Sequence, residues 1–115
     1  MPIFDKSFIV MARTSKTTLG LILRSLRVEK GLTLHEVAKR TDIDSTMLSK
    51  IETAKRLPTD PQFESLCQFF GPELRVEQPR LIAERIVREY GTAVDAREAL
   101  NIASDILATY HRKKS

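Results

Sequence analysis

The chain has no tryptophan, one cysteine (Cys67), two histidines (His35 and His111), four glycines and few aromatic residues in 115 positions. A lone cysteine excludes an internal disulfide, and Cys67, set among Leu66, Phe69 and Phe70, reads as a small buried hydrophobe. The two histidines lie far from each other and from Cys67, so no zinc-ligand spacing is present. Four scattered glycines form no phosphate-cradling loop, and the acidic residues occur singly rather than as catalytic pairs. Enzymatic chemistry, a cofactor and a resident metal are therefore not expected. No apolar run approaches the roughly 20 residues needed to cross a bilayer. Ser7–Met11 (SFIVM) is too short for a signal-peptide core and has no small-residue cleavage site after it, so a cytoplasmic location is expected.

What is present is a chain of single-domain length, 42% hydrophobic, with a formal charge of +4 and a pI near 9.5. The charge is uneven. Residues 1–57 hold 11 Lys/Arg against 6 Asp/Glu, a net of +5, whereas residues 58–115 hold 8 against 9, a net of −1. A modest total concentrated in one half points to a localised polyanion-binding surface there.

Residues 1–17 show no helical period and mix Phe4 and Phe8 with Lys6, Arg13 and Lys16; they read as an N-terminal arm. Phe8–Met11 could form a short strand or a plug, and the basic residues could lie along phosphate. From Thr18 to Lys30, Leu19, Ile22, Leu23 and Leu26 fall at i, i+3, i+4 and i+7, an amphipathic helix that Gly31 stops. Arg24, Arg27 and Lys30 are expected on its solvated outer face. Thr33 with Glu36 predicts a capping box opening a second helix, with Leu34, Val37 and Ala38 inward. Thr41–Asp44 is a turn anchored by Ile43, and Asp44 caps a third helix from Ser45 to about Thr53 with Leu48 and Ile51 inward. Asp60 is the expected cap, and Pro61 the first helical residue, of a fourth helix reaching Phe70 and burying Phe63, Leu66 and Phe69 or Phe70. Residues 72–79 read as a polar linker with at most brief helical turns. A fifth helix with Leu81, Ile82, Ile86 and Tyr90 ends at Gly91, and Asp95 with Glu98 predicts another box opening a sixth.

The run Leu34–Ile51 resembles the helix-turn-helix of the phage repressor and Cro family, also called the xenobiotic response element family. Ala38 occupies the motif's small fifth position, where the helices cross, and Val37, Ile43, Leu48 and Ile51 occupy its apolar positions. Ser49-Lys50-Ile51-Glu52, Lys55-Arg56 and Pro58-Thr59 resemble the usual ending. Leu34 stands where relatives often carry Gln, Asp42 where the turn often has Gly, and Thr53-Ala54 where Asn-Gly often follows. The resemblance implies an all-α, lambda-repressor-like bundle of four to five helices over residues 18–71, followed by a C-terminal helical extension over residues 72–115.

The same resemblance implies double-stranded DNA as the partner, with Ser45, Thr46, Ser49 and Lys50 reading bases; all four also lie opposite Leu48 and Ile51 by helical period. Met47 could touch a thymine methyl or pack at the helix flank. Thr33, the backbone of Leu34, Lys55, Arg56 and Thr59 are the expected phosphate contacts, with Lys39 and Arg40 further off. One such unit reads half a site, so a homodimer is expected, and Leu100, Ala103, Ile106, Leu107 and Tyr110 on the last helix are its candidate interface. The expected function is a transcriptional repressor on an inverted repeat. Antitoxins and restriction-modification controllers are built on the same unit, and an interaction module that sequesters a protein partner is the alternative class.

Overall fold

The computed structural model describes residues 17–114, with side chains through residue 111; the expected N-terminal arm, with Lys6, Arg13 and Lys16, falls almost wholly outside them. Among the described residues there is no strand. The elements run α1 Leu19–Glu29, α2 Leu34–Thr41, α3 Ser45–Glu52, α4 Asp60–Phe70, the single turn α5 Pro72–Arg75, α6 Gln78–Tyr90 and α7 Ala96–Lys114.

Local chemistry sets the boundaries. The Thr18 hydroxyl accepts from the Leu21 N–H at 3.1 Å to open α1. Gly31, at φ +71°, closes it in a Schellman turn, with Gly31 N–H donating to Val28 C=O (2.9 Å) and Leu32 N–H to Arg27 C=O (3.1 Å). The expected box at α2 is complete: Glu36 N–H donates to the Thr33 hydroxyl (3.1 Å) and Thr33 N–H to Glu36 Oε1 (2.8 Å). That backbone hydrogen bond holds the Glu36 carboxyl below its usual range. At α4 the cap is Thr59, not Asp60. Thr59 has Gln62 three residues on and makes a reciprocal pair of bonds with it (3.2 and 3.0 Å), whereas the residue three after Asp60 is Phe63, which can return nothing.

One apolar cluster joins the elements: Leu19, Ile22, Leu23 and Leu26 of α1, Val37 of α2, Ile43 of the turn, Leu48 and Ile51 of α3, and Phe63, Leu66, Cys67 and Phe70 of α4. Every inward stripe in this part of the chain packs as its period predicts, Ile43 does anchor the turn, and burial pushes the Cys67 thiol up. The expected linker does not end the core. Leu74 of α5 and Leu81 of α6 are both buried in the same cluster, and Glu77 between them is buried in an ion pair with Arg80 at 2.8 Å. Arg80 also donates to the Thr17 carbonyl (2.7 Å) and Glu84 accepts from the Leu19 N–H (2.5 Å), so the start of α6 closes over the start of α1. The polar stretch thus hides one core leucine, Leu74, while Leu81, expected on the fifth helix, joins the same core seven residues later.

Arg27 is a further departure. Arg24 and Lys30 are exposed as expected, but Arg27 turns inward and grips Glu52 at the end of α3 through two bonds, Nε–Oε2 at 2.7 Å and Nη2–Oε1 at 3.0 Å, while Nη1 donates to the Leu32 carbonyl at 2.7 Å. The side chains are only 14% and 6% exposed, and the bond to Glu52 holds the guanidinium pKa above its already high range. Close by, a Cβ on Gly20 would fall inside the carbonyl oxygens of Ile51 and Glu52, so α1 and the end of α3 approach backbone to backbone.

The compact unit ends at Glu84; the residues from Arg85 onward form a second unit, made of the end of α6 and of α7. No residue from Ile82 to His111 is buried.

Removing one member of a buried ion pair leaves the other charge unpaired, so Glu52→Ala is expected to destabilise the fold by about 3 kcal/mol, read as a lower urea midpoint at unchanged slope. Gly20→Ala should destabilise by about 1–3 kcal/mol by overpacking, in the same measurement.

Candidate nucleic-acid interface

The turn between α2 and α3 is fixed from three sides. Asp42 takes the left-handed conformation (φ 59°) that the usual Gly would, and its N–H donates to the Ala38 carbonyl at 3.0 Å. The buried Thr41 hydroxyl donates to the Val37 carbonyl, and Ser65 of α4 donates to the Thr41 carbonyl, both at 2.8 Å. Asp44 Oδ1 then accepts from Met47 N–H at 2.8 Å, capping α3 as expected. With Leu48 and Ile51 buried, Thr46 and Lys50 stand exposed and Ser45 and Ser49 half-buried. Met47 is packed partly against the core, which favours its flank-packing reading.

The exit from α3 is also a Schellman turn, built without glycine. Ala54 sits at φ +63°, its N–H donating to Ile51 C=O at 3.1 Å, while Lys55 N–H reaches back to Lys50 C=O at 2.9 Å. Thr53 adds a hydroxyl bond to the Ser49 carbonyl at 2.8 Å. The chain is thereby folded so that Lys55 stands beside Lys50.

The outcome is one open concave surface lined by Thr33, Leu34, His35, Ser45, Thr46, Ser49, Lys50 and Lys55. All four residues expected to read bases are there, with three of the five expected at phosphate. Arg56 and Thr59 are exposed but lie outside this lining. Two lysines and no carboxylate line it, so it carries net positive charge. Thr33 and Thr59 use their hydroxyl oxygens to accept from Glu36 and Gln62, and each hydroxyl keeps a proton that can be donated outward. Leu34, the first residue of α2, packs partly against the core with its side chain and offers an N-terminal amide.

His35 is the lining residue to which its sequence context assigns no part in DNA contact. No period marks it, because its membership depends on where α2 crosses α3 rather than on either helix alone. Leu100, Ala103, Ile106, Leu107 and Tyr110, the expected interface residues, are all exposed on α7. Among the described residues no cluster suits a metal ion, and no helix is long and apolar enough to cross a membrane.

A family model described as a helix-turn-helix domain matches residues 18–81. The match begins at the cap of α1 and ends at Leu81, the last buried core residue, so it spans the whole cluster including the leucines of α5 and α6. No curated protein and no solved structure matches the chain. With more than half of its length covered, and with the α2–turn–α3 geometry of a DNA-reading unit, the chain belongs to the helix-turn-helix domain family.

Proposed function

We propose that this protein is a sequence-specific transcriptional regulator, a repressor that binds an inverted-repeat operator as a homodimer. The observation that carries the reading is the acid-free groove in which the outer residues of α3 lie beside Lys55 and the first turn of α2. A helix presented in this way enters the major groove with its N-terminal side chains at base edges, while the preceding helix crosses the backbone.

Within that reading each residue has a chemical part. Lys50 donates to guanine O6 and N7, and Ser45, Thr46 and Ser49 donate or accept with little preference, so discrimination rests mainly on Lys50. Lys55 beside it, Arg56 after it, the protons of the Thr33 and Thr59 hydroxyls and the amide of Leu34 take phosphates and set the register. Two copies place their α3 helices about 34 Å apart on one face of the duplex, with α7 supplying the contact between them.

A mobility-shift titration over salt is the direct test: apparent affinity should fall steeply as salt rises, and a flat response at every operator offered would leave a protein-interaction module instead. Lys50→Ala should cost roughly 1–3 kcal/mol at the selected site and relax preference at one base pair, while Arg56→Ala should weaken all sequences alike and reduce the salt slope by about one. If Lys50→Ala weakens random DNA equally, Lys50 holds a phosphate and the readout assignment fails. Because Ala54 holds a left-handed conformation that costs an alanine about 1 kcal/mol, Ala54→Gly should raise the melting temperature and leave the affinity for the operator unchanged.

A further inference from the structure

α7 is 19 residues long, and from Ala96 to His111 none of them is buried. Most helices in proteins owe their stability to packing an amphipathic face, and this one has such a face that no described residue buries. The stripe runs through Ala99, Leu100, Ala103, Ile106, Leu107 and Tyr110 at spacings of three and four; Glu98, Asn101 and Asp105 lie on the reverse. Leu100, Ile106, Leu107 and Tyr110 are each about half exposed.

The order of sizes along that stripe says what covers it. Taken about Ala103, the residues at equal distances are Leu100 and Ile106, Ala99 and Leu107, Ala96 and Tyr110. If a second α7 lies antiparallel with Ala103 against Ala103, every layer but the central one sets an apolar residue on a different one, and the two bulkiest mismatches become small against large: alanine under leucine, alanine under tyrosine. Interdigitated layers of that kind fill space evenly. Parallel in-register pairing would instead stack Tyr110 on Tyr110 and Ala96 on Ala96, swelling one end and leaving a gap at the other.

Charge agrees with size. Asp95 and Glu98 against Arg97 leave the start of the segment acidic, and the sequence sets Arg112, Lys113 and Lys114 at its end. Antiparallel packing lays the acidic part of each copy towards the basic end of the other and opposes the helix dipoles; parallel packing gathers the basic ends together.

We propose that two copies of this chain associate through α7, packed antiparallel about a two-fold axis at Ala103. The inference rests on the dimeric reading above and gives that dimer its register. Its test is cysteine pairing on the full chain without DNA, with the wild-type chain, whose Cys67 is buried, as the blank. Ala103→Cys should give a covalent dimer on mild oxidation. Leu100→Cys and Ile106→Cys should each pair poorly alone and several-fold faster when mixed, because each faces the other across the axis. Leu100→Cys pairing with itself as fast as in the mixture would mean parallel helices and would overturn the proposal. Ile106→Glu should sediment as a monomer; a dimer that survives it, or a wild-type chain that sediments as a monomer, also overturns it. Because no DNA is present, an absence of salt-dependent DNA affinity alongside the expected pairing pattern would sink the regulator reading and leave the α7 interface standing.

Discussion

A single guanidinium, Arg27, sits where three segments of the chain meet. It leaves α1, clasps Glu52 at the last turn of α3 with two bonds, and closes on the Leu32 carbonyl in the connection to α2. Van der Waals packing of Leu48 and Ile51 fixes how deep α3 lies, but apolar contacts are non-directional and would tolerate rotation and slip. A bidentate, largely buried ion pair does not. The absence of a side chain on Gly20, which lets α1 meet the Ile51 and Glu52 carbonyls, makes the clasp possible. The pose of the outer face of α3, and with it the shape of the groove, depends on this pair of residues.

The groove itself is assembled by turns rather than by helices. Two left-handed residues, Asp42 before α3 and Ala54 after it, stand where glycine would be easier, and both conformations are held by backbone hydrogen bonds. The first aims the N-terminus of α3 past α2; the second folds Lys55 back towards Lys50. The positive face thus comes from two lysines brought close by a turn, with the neighbouring carboxylates Asp44 and Glu36 engaged in capping. The overall charge of +4 would not by itself mark a binding surface.

The second unit follows a different logic. The first has a closed core ending at Leu81; the second has an amphipathic helix and no core. On the reading proposed here, recognition is kept in a rigid unit and association in a separate helix, so the two can vary independently.

The periodic elements were legible in the sequence. The stripes of α1 and α3, the capping box at Thr33, the Asp44 cap, the Ile43 anchor and the outward set Ser45, Thr46, Ser49 and Lys50 follow from spacing, because amphipathic period and capping are local and act over three or four residues. Less was legible where the deciding partner is far along the chain. The cap of α4 is local as well, set by Thr59 with Gln62 three residues on, but the adjacent Asp60-Pro61 pair carries a competing cap signal one residue later. Leu74 lies in a stretch whose local character is polar, and Arg27 has the spacing of an outer-face basic residue. The sequence by itself determined the helices, their caps and which face of each turns inward. Only the tertiary structure decided that Arg27 belongs to Glu52 25 residues away, that α5 and α6 complete the core, and that His35 shares a groove with Lys50. Contacts of that separation are set by how the helices cross, and no short-range pattern encodes the crossing.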